Sequence, residues 1–477
     1  MSARKSILNS FIGKYLNMAV QIFSGIIIAR LLLPEEMGVF SVAAAVLGFV
    51  HMFRDFGINS YIVQEKELTD SRLRAAFTLN LFISWSLGVA VYFSSPFAAQ
   101  FYETQGIMEV LKITSLIFFL IPFGAISVAM LQRNMQFGKL NIINLSGSLS
   151  GAIVSIYCAY LGFSYISLAW GTLANSTVSI LVVQFFRHPV TLYPSFKDIR
   201  KVLGYGSITS ITHLVDYLGS SAPDLILGKI LTMSDVGIFG RATGLISLVQ
   251  RLIISAIKPV LLPYLSNIQD SKEQLKTQYL YATDLMIGLA WPALGFLIVK
   301  SALIIEVLYG SNWLAAVPLV KILGMAYFFI IFTSLSDELF KSSGQIKTFA
   351  KITFVITPLG FLAVLMSAPY GLTNVALALA CIPVIKVLIT TFFIKRQYKI
   401  QYRLYLPIAW RNGLLTSFPL CMVYLFNSHY SITPMAIDLL STAATFSVVW
   451  LITIFLLNHP LSIELKKALK RSPTKHA

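Results

Sequence analysis

Charge is scarce in this chain. Of its 477 residues only 12% are Asp, Glu, Lys or Arg, whereas a soluble globular protein carries about 25%. A large soluble enzyme would lack the polar surface it needs. Cysteine is scarcer still. Cys158, Cys381 and Cys421 all fall inside apolar stretches, with no CxxC or Cys/His spacing. They read as buried small hydrophobes, which excludes a disulfide framework or a metal site. Catalytic patterns are missing too. The six histidines, His51, His188, His213, His429, His459 and His476, have no metal-ligand spacing, and neither G-x-S-x-G nor a P-loop occurs. Glu35–Glu36 sits in a loop too short, and too poor in partner acids, for a glycosyltransferase site. No enzyme activity, metal or cofactor is expected.

Apolar residues are what the chain has instead, 56% of the total with a mean hydropathy of +0.76. A spanning helix takes roughly 20 apolar residues. Candidates lie near 10–33, 38–58, 75–95, 110–131, 140–161, 165–186 and 202–228. A second set lies near 239–263, 282–305, 315–338, 349–369, 372–394, 409–427 and 435–457. These 14 spans leave no room for a separate aqueous domain, so an all-α polytopic membrane protein is expected. The first run, about 24 residues, has no small-residue cleavage site and reads as a retained helix.

Sidedness follows from Lys and Arg. With the N-terminus inside, the inner segments hold 24 of the 37 basic residues, the outer loops hold Lys229 alone, and 12 fall within spans. One missed helix would invert every later loop, so the split supports both the count and two cytoplasmic termini. It also accounts for the net charge of +17 without nucleic acid as a partner. The basic tail, from Lys466 to Lys475, could touch anionic head groups.

An internal repeat divides the chain. Residues 26–44 (IIIARLLLPEEMGVFSVAA) match 225–243 (LILGKILTMSDVGIFGRAT) at an offset of 199, pairing Glu36 with Asp235, Gly38 with Gly237 and Phe40 with Phe239. Arg133 and Lys139 find an echo in Lys341 and Lys347. Six spans separate the copies, so the halves share one orientation, the parallel-repeat arrangement of transporters with a site between halves. The expected organisation is a six-helix lobe at 1–201, a second at 202–395, and helices 13 and 14 with the basic tail at 396–477. The repeated glycines and acids suit tight helix starts and N-caps, an architectural role.

Ionisable groups inside a membrane are costly and tend to face a bundle interior or a wet cavity. The first two spans of each half gather cations: Lys14, Arg54, Arg241, Arg251 and Lys258. Arg251 and Lys258, seven residues apart, share a helix face. A cavity lined by them would draw an anion, and Arg can grip phosphate in a bidentate fork. The acids Asp55, Asp216, Asp284 and Asp337, with Asp438, could couple a cation or neutralise these bases. Asp216 with Arg251 is the pair to suspect.

The segments ARLLLPEEMGVFSVA (29–43), DFGINSYIVQ (55–64), LQRNMQFGKL (131–140), VGIFGRAT (236–243), LPYLSNIQD (262–270) and VLYGSNWLAAVPL (307–319) resemble the oligosaccharide flippases of Wzx type. These belong to the MOP superfamily, with lipid II flippases and multidrug (MATE) exporters. The resemblance implies two six-helix lobes around a central cavity plus a helix pair. It implies transport of an undecaprenyl-pyrophosphate-type lipid-linked oligosaccharide across a bacterial inner membrane by alternating access, for O-antigen, capsule or exopolysaccharide. Membrane lipids and other polysaccharide assembly proteins are the implied partners, and a monomer is the default. Two alternatives stand beside it. One is a cation-coupled MATE-like exporter, which would want acids to dominate its cavity. The other is a membrane-embedded polysaccharide polymerase, which would want a large outer loop with catalytic residues.

Overall fold

The computed structural model describes residues 3–55, 57–186, 193–196, 199, 217, 219, 221–429 and 434–470. These residues form α-helices joined by turns and short 3-10 segments, with no strand among them. The chain divides into two compact units, Met1–Gly237 and Ile238–Ala477.

The first unit contains α1 (Ala3–Leu31), α2 (Pro34–Asp55), α3 (Ile58–Gln64), α4 (Asp70–Tyr102), α5 (Gln105–Leu120), α6 (Pro122–Arg133), α7 (Phe137–Tyr160), α8 (Ile166–Gln184) and α9 (221–230), and ends in the first turn of α10 (Met233–Asn267). The second holds the rest of α10, then α11 (Lys272–Val299), α12 (Ser301–Tyr309), α13 (Val317–Thr333), α14 (Ser336–Ser342), α15 (Ile346–Ser367) and α16 (Leu372–Tyr398). It closes with α17 (Tyr405–His429), α18 (Met435–Leu456) and α19 (Pro460–Lys470).

Among the described residues, 11 helices are long and apolar enough to cross a membrane, or 12 if the bent pair α5 and α6 is one span. Of the 14 expected spans, 202–228 lies largely outside the described residues. The span at 409–427 falls within α17, which is helical but not one of the 11. α4 runs for 33 residues, longer than the expected 75–95. At 1.5 Å per residue it reaches about 50 Å, against a hydrocarbon core of about 30 Å.

The burial pattern is that of lipid-facing helices. Phe185 is 85% exposed, Tyr160 78% and Trp410 73%, which water would penalise and lipid tails would not. The interior is apolar as well, with Phe118, Phe340 and Trp313 fully buried, and small hydroxyl-bearing residues are interleaved with it, among them Thr78, Ser84, Ser95, Thr114 and Ser115. Their hydroxyls are satisfied within the helix: Thr78 donates to Arg74 O at 2.8 Å, Thr114 to Val110 O at 2.6 Å and Ser95 to Tyr92 O at 2.7 Å. The cysteines depart from expectation. Cys158 is half-buried, while Cys381 and Cys421 are exposed. The Cys381 thiol donates to Leu377 O one turn back, so it needs no packed interior. The chain is a multi-pass membrane protein.

The repeated hairpin shows its architectural use within the first unit. Pro34 opens α2, and the Glu36 carboxylate accepts the Leu33 N–H at 2.7 Å. In the second copy, Asp235 accepts the Thr232 N–H at 3.1 Å and its hydroxyl at 2.7 Å. The two glycines make the close approach between copies. A Cβ on Gly38 would lie 1.7 Å from Met233 O, and one on Gly237 would lie 2.0 Å from Pro34 O. Lys229, the one base in the expected outer loops, meets Glu103 at 2.9 Å. That hydrogen bond and the ammonium charge hold the Glu103 carboxyl below its usual range.

Candidate functional site

A cavity of about 540 Å3 opens in the first unit, within the range of small-molecule sites. Arg54 lines it, together with Asn59, Ser60, Asn144, Asn175, Ser176 and Ser179. The apolar share comes from Ile121, Val128, Ile143, Ile180 and Val183. Arg54 carries the only formal charge among these residues, and no carboxylate is among the described lining.

Local chemistry explains why polar groups gather here. α5 and α6 meet at a bend of 59°, where Pro122 at the first turn of α6 supplies no N–H. Carbonyls near the break are covered by side chains: Trp85 Nε1 donates to Phe119 O at 3.3 Å and Gln184 Nε2 to Phe123 O at 3.0 Å. Irregular backbone at membrane depth is tolerated where it borders protein or a cavity, and Ile121 and Gly124 at this break do line the cavity. At the end of α2, Gly57 takes a φ of 65°, the left-handed region that glycine enters freely. That turn brings Asn59 and Ser60 of α3 to the wall, and Asn59 Nδ2 donates to Gln132 Oε1 at 3.1 Å.

Two side chains on α8 are set by α7. A Cβ on Gly147 would lie 2.0 Å from Ser179 Oγ and 2.8 Å from Asn175 Oδ1, so the missing side chain is the space these two occupy. Gly151 and Gly171 extend the close approach: a Cβ on Gly151 would come within 2.9 Å of Gly171 O. Small residues let membrane helices pack this tightly.

The other expected site residues are dispersed. Lys14 is exposed on α1, while Asp55 ends α2 with its side chain outside the described residues, as is Asp216. The suspected pairing of Asp216 with Arg251 therefore falls outside them too. In the second unit Arg241 stacks on two rings, 5.1 Å from Tyr309 and 5.3 Å from the fully buried Trp313. Arg251 is exposed on α10 and donates to Ser247 Oγ at 3.1 Å. Lys258 lies 4.0 Å from Asp337 and 3.8 Å from Glu338, and Lys386 lies 3.9 Å from Asp337.

Asp284 is the centre of a buried cluster in the second unit. It pairs with Arg411, accepts from Asn412 Nδ2 at 2.7 Å and faces His459 Nε2 at 3.2 Å. His459 Nδ1 accepts the Leu461 N–H at 3.2 Å, so the proton of the neutral ring sits on Nε2. Burial, and then the Arg411 charge, press the imidazole down to a pKa of about 4. The cluster joins α11, α17 and the turn that starts α19. Among the described residues no group of three or more His, Cys, Asp or Glu could hold a metal ion.

Sequence reasoning reached Arg54 through its charge and missed the neutral residues around it. Asn175 and Ser179, one turn apart on a span that also carries Thr172, Ser176 and Thr177, were the available signal. Arg411 and His459 were visible as residues, but their partner is more than a hundred positions away in sequence for Arg411.

Comparisons with known proteins agree with this fold. WzxC of Escherichia coli (strain K12), a lipopolysaccharide biosynthesis protein, is 24% identical over 62% of this chain and 61% of its own length. ExoT of Rhizobium meliloti (strain 1021), a succinoglycan biosynthesis transport protein, is 26% identical over 63% of this chain and 61% of its own. The chain thus spans about three fifths of the length of these curated relatives. A solved structure of the lipid II flippase MurJ, in an inward closed conformation, superposes with a TM-score of 0.77 at 19% identity, over 94% of this chain and 99% of that one. Residues 27–318, more than half of the chain, match the family described as polysaccharide biosynthesis protein, and the chain belongs to that family.

Proposed function

We propose that the chain is a flippase that carries a polyprenyl-pyrophosphate-linked oligosaccharide, of the undecaprenyl type, across a bacterial inner membrane by alternating access. It would serve O-antigen, capsule or exopolysaccharide assembly, as a transporter and not a catalyst. In this reading the chain has 14 spans in two six-helix lobes plus a C-terminal pair, both termini cytoplasmic, and works as a monomer. The names of the relatives, in lipopolysaccharide biosynthesis and succinoglycan transport, support the substrate class.

The observation that carries the reading is the cavity of the first unit: one guanidinium among amides and hydroxyls, beside a broken helix, with no acid in its described lining. Arg54 supplies a two-pronged donor for a pyrophosphate. Lys14 and Arg251, both exposed, are assigned to drawing the anion in. Arg241, Lys258, Asp284 and Asp337 are assigned to the second unit's own packing, from the partners each one has. A MATE-like exporter of cationic drugs would want the opposite polarity in this cavity, and a polymerase would want catalytic groups that the sequence does not offer.

The test is translocation in proteoliposomes. A fluorescent polyprenyl-pyrophosphoryl oligosaccharide should reach the far leaflet with the protein and stay put without it. Failure across several glycans and ion gradients, with export of small cationic drugs, would replace this reading by the multidrug one.

A further inference from the structure

The outward surface of α4 is unlike that of its neighbour α7. Trp85, Val89, Phe93, Phe97 and Phe101 each follow the last by four residues, which sets them in one ridge on the helix. All five are exposed, Phe93 by 70% and Phe97 by 72%. On α7 the exposed side chains are Ile142, Leu149 and Ile153, with Tyr157 and Tyr160 kept for its end. That is the ordinary pattern, in which aliphatic groups meet lipid tails and tyrosines gather at the interface. On α4 aromatic rings run from the middle of the helix to its end. Pro96 lies among them and offers no N–H to Tyr92 O, but Ser95 Oγ donates to that carbonyl at 2.7 Å. The helix therefore continues through the ridge.

The ridge begins beside the cavity of the first unit. Trp85 Nε1 donates to Phe119 O at 3.3 Å, and the two rings lie 6.1 Å apart, close in sequence to Ile121 of the cavity wall. A lipid whose pyrophosphate sits at Arg54 would meet Trp85 as its chain leaves past the α5–α6 break. From Trp85 to Phe101 the ridge runs about 24 Å at 1.5 Å per residue. An ordinary phospholipid chain covers half of a hydrocarbon core of about 30 Å, so the ridge outruns it and suits a longer chain. Charge agrees: Lys112, half-buried on α5, sets its ammonium 5.7 Å from the Tyr92 ring and forms no ion pair among the described residues. A bare cation at membrane depth favours an anionic lipid beside the ridge. Another membrane helix fits less well, since it would want small residues for close approach.

We propose that this ridge of α4 is a docking surface for the polyprenyl chain of the substrate. Each isoprene unit carries a methyl branch and a double bond, and its C–H groups pack on ring faces, the negative side of the aromatic quadrupole. Successive rings one turn apart then meet successive units of the chain. This deepens the flippase reading above and rests on it.

The experiment is photo-crosslinking and equilibrium binding on the full-length protein in phosphatidylcholine nanodiscs. Undecaprenyl pyrophosphate with a diazirine in its chain should label α4 between Trp85 and Phe101. Labelling should persist in the excess of phosphatidylcholine and be suppressed by unlabelled undecaprenyl pyrophosphate. Phe93→Leu/Phe97→Leu keeps the face apolar and should weaken undecaprenyl pyrophosphate binding about tenfold. Farnesyl pyrophosphate, the same head on a short chain, should change by less than about twofold in that variant. Phe354→Leu, which removes an exposed ring from α15, should change neither. The wild-type labelling needs no variant to fold.

The ridge is overturned if the label falls on other helices, α17 and α18 included, or if the double variant binds undecaprenyl pyrophosphate as wild type does. Wild-type binding of farnesyl pyrophosphate with no gain from the longer chain would overturn the ridge and leave the flippase reading standing. Binding of neither pyrophosphate would overturn both.

Discussion

Each unit contains an interrupted helix, and the two interruptions are used differently. In the first unit α5 and α6 bend by 59° at Ile121–Pro122 beside a cavity whose one described charge is Arg54. In the second, α13 and α14 stay within one span, Ser311–Ser342, across a turn at Ser334–Leu335. The acids that follow this turn, Asp337 and Glu338, are met by Lys258, Lys386 and Lys341. One unit leaves polar groups facing open space. The other closes its charges on one another. Charge inside a membrane is costly in either case, so the unit with an open polar cavity is the better place to look for a ligand.

The comparison can be broken at several points, and the largest effect is expected in the second unit. Asp284→Ala would strand Arg411 and leave His459 without its carboxylate, and should cost about 3–5 kcal/mol of stability, read as a fall in Tm in detergent. A double variant Asp284→Leu/Arg411→Leu should recover part of that loss.

Acid should act on the same cluster. The folded pKa of His459, about 4, lies below the ordinary imidazole value of 6.5, so the unfolded chain binds a proton first as pH falls. Stability is therefore full above about pH 6.5, declines between 6.5 and 4, and by pH 4 has lost about 3 kcal/mol from this group. His459→Gln should flatten that limb of the Tm-against-pH curve, and an unchanged slope would remove His459 as its source.

Smaller effects are expected on transport. Arg54→Gln should lower translocation about tenfold or more, the worth of a charge-assisted hydrogen bond, with Tm unchanged. Arg54→Lys should restore part of it, because the charge remains and the fork is lost. Lys258→Gln should change stability by less than about 1 kcal/mol, since its carboxylate distances of 3.8–4.0 Å are long and the side chain is a third exposed. A larger transport defect in Lys258→Gln than in Arg54→Gln would reverse the assignment of the two units.

Much of the fold was legible in the sequence because the bilayer imposes a simple rule: about 20 apolar residues per crossing. The hairpin repeat was legible as well, since Gly38 and Gly237 mark a backbone approach that no other residue permits. Three features were hidden. The sharp bend at Pro122 does not follow from hydropathy, because both sides are apolar. The Asp284, Arg411 and His459 cluster joins residues from two helices and a turn, and no local pattern pairs them. Asn144, Asn175 and Ser179 are single neutral residues, common enough in membrane helices that only their convergence on one cavity distinguishes them. Arg54 stood out for the opposite reason: adjacent charges, Arg54 and Asp55, at the end of an apolar span are conspicuous without any structure.

The most direct test sets the two units against each other in one assay. Wild type, Arg54→Gln and Lys258→Gln would be reconstituted side by side, and translocation of a fluorescent polyprenyl-pyrophosphoryl oligosaccharide measured for each at matched protein content. The expected result is transport by wild type and Lys258→Gln, with loss in Arg54→Gln. Full transport by Arg54→Gln would contradict the account, because the cavity of the first unit would then bind nothing the cycle needs.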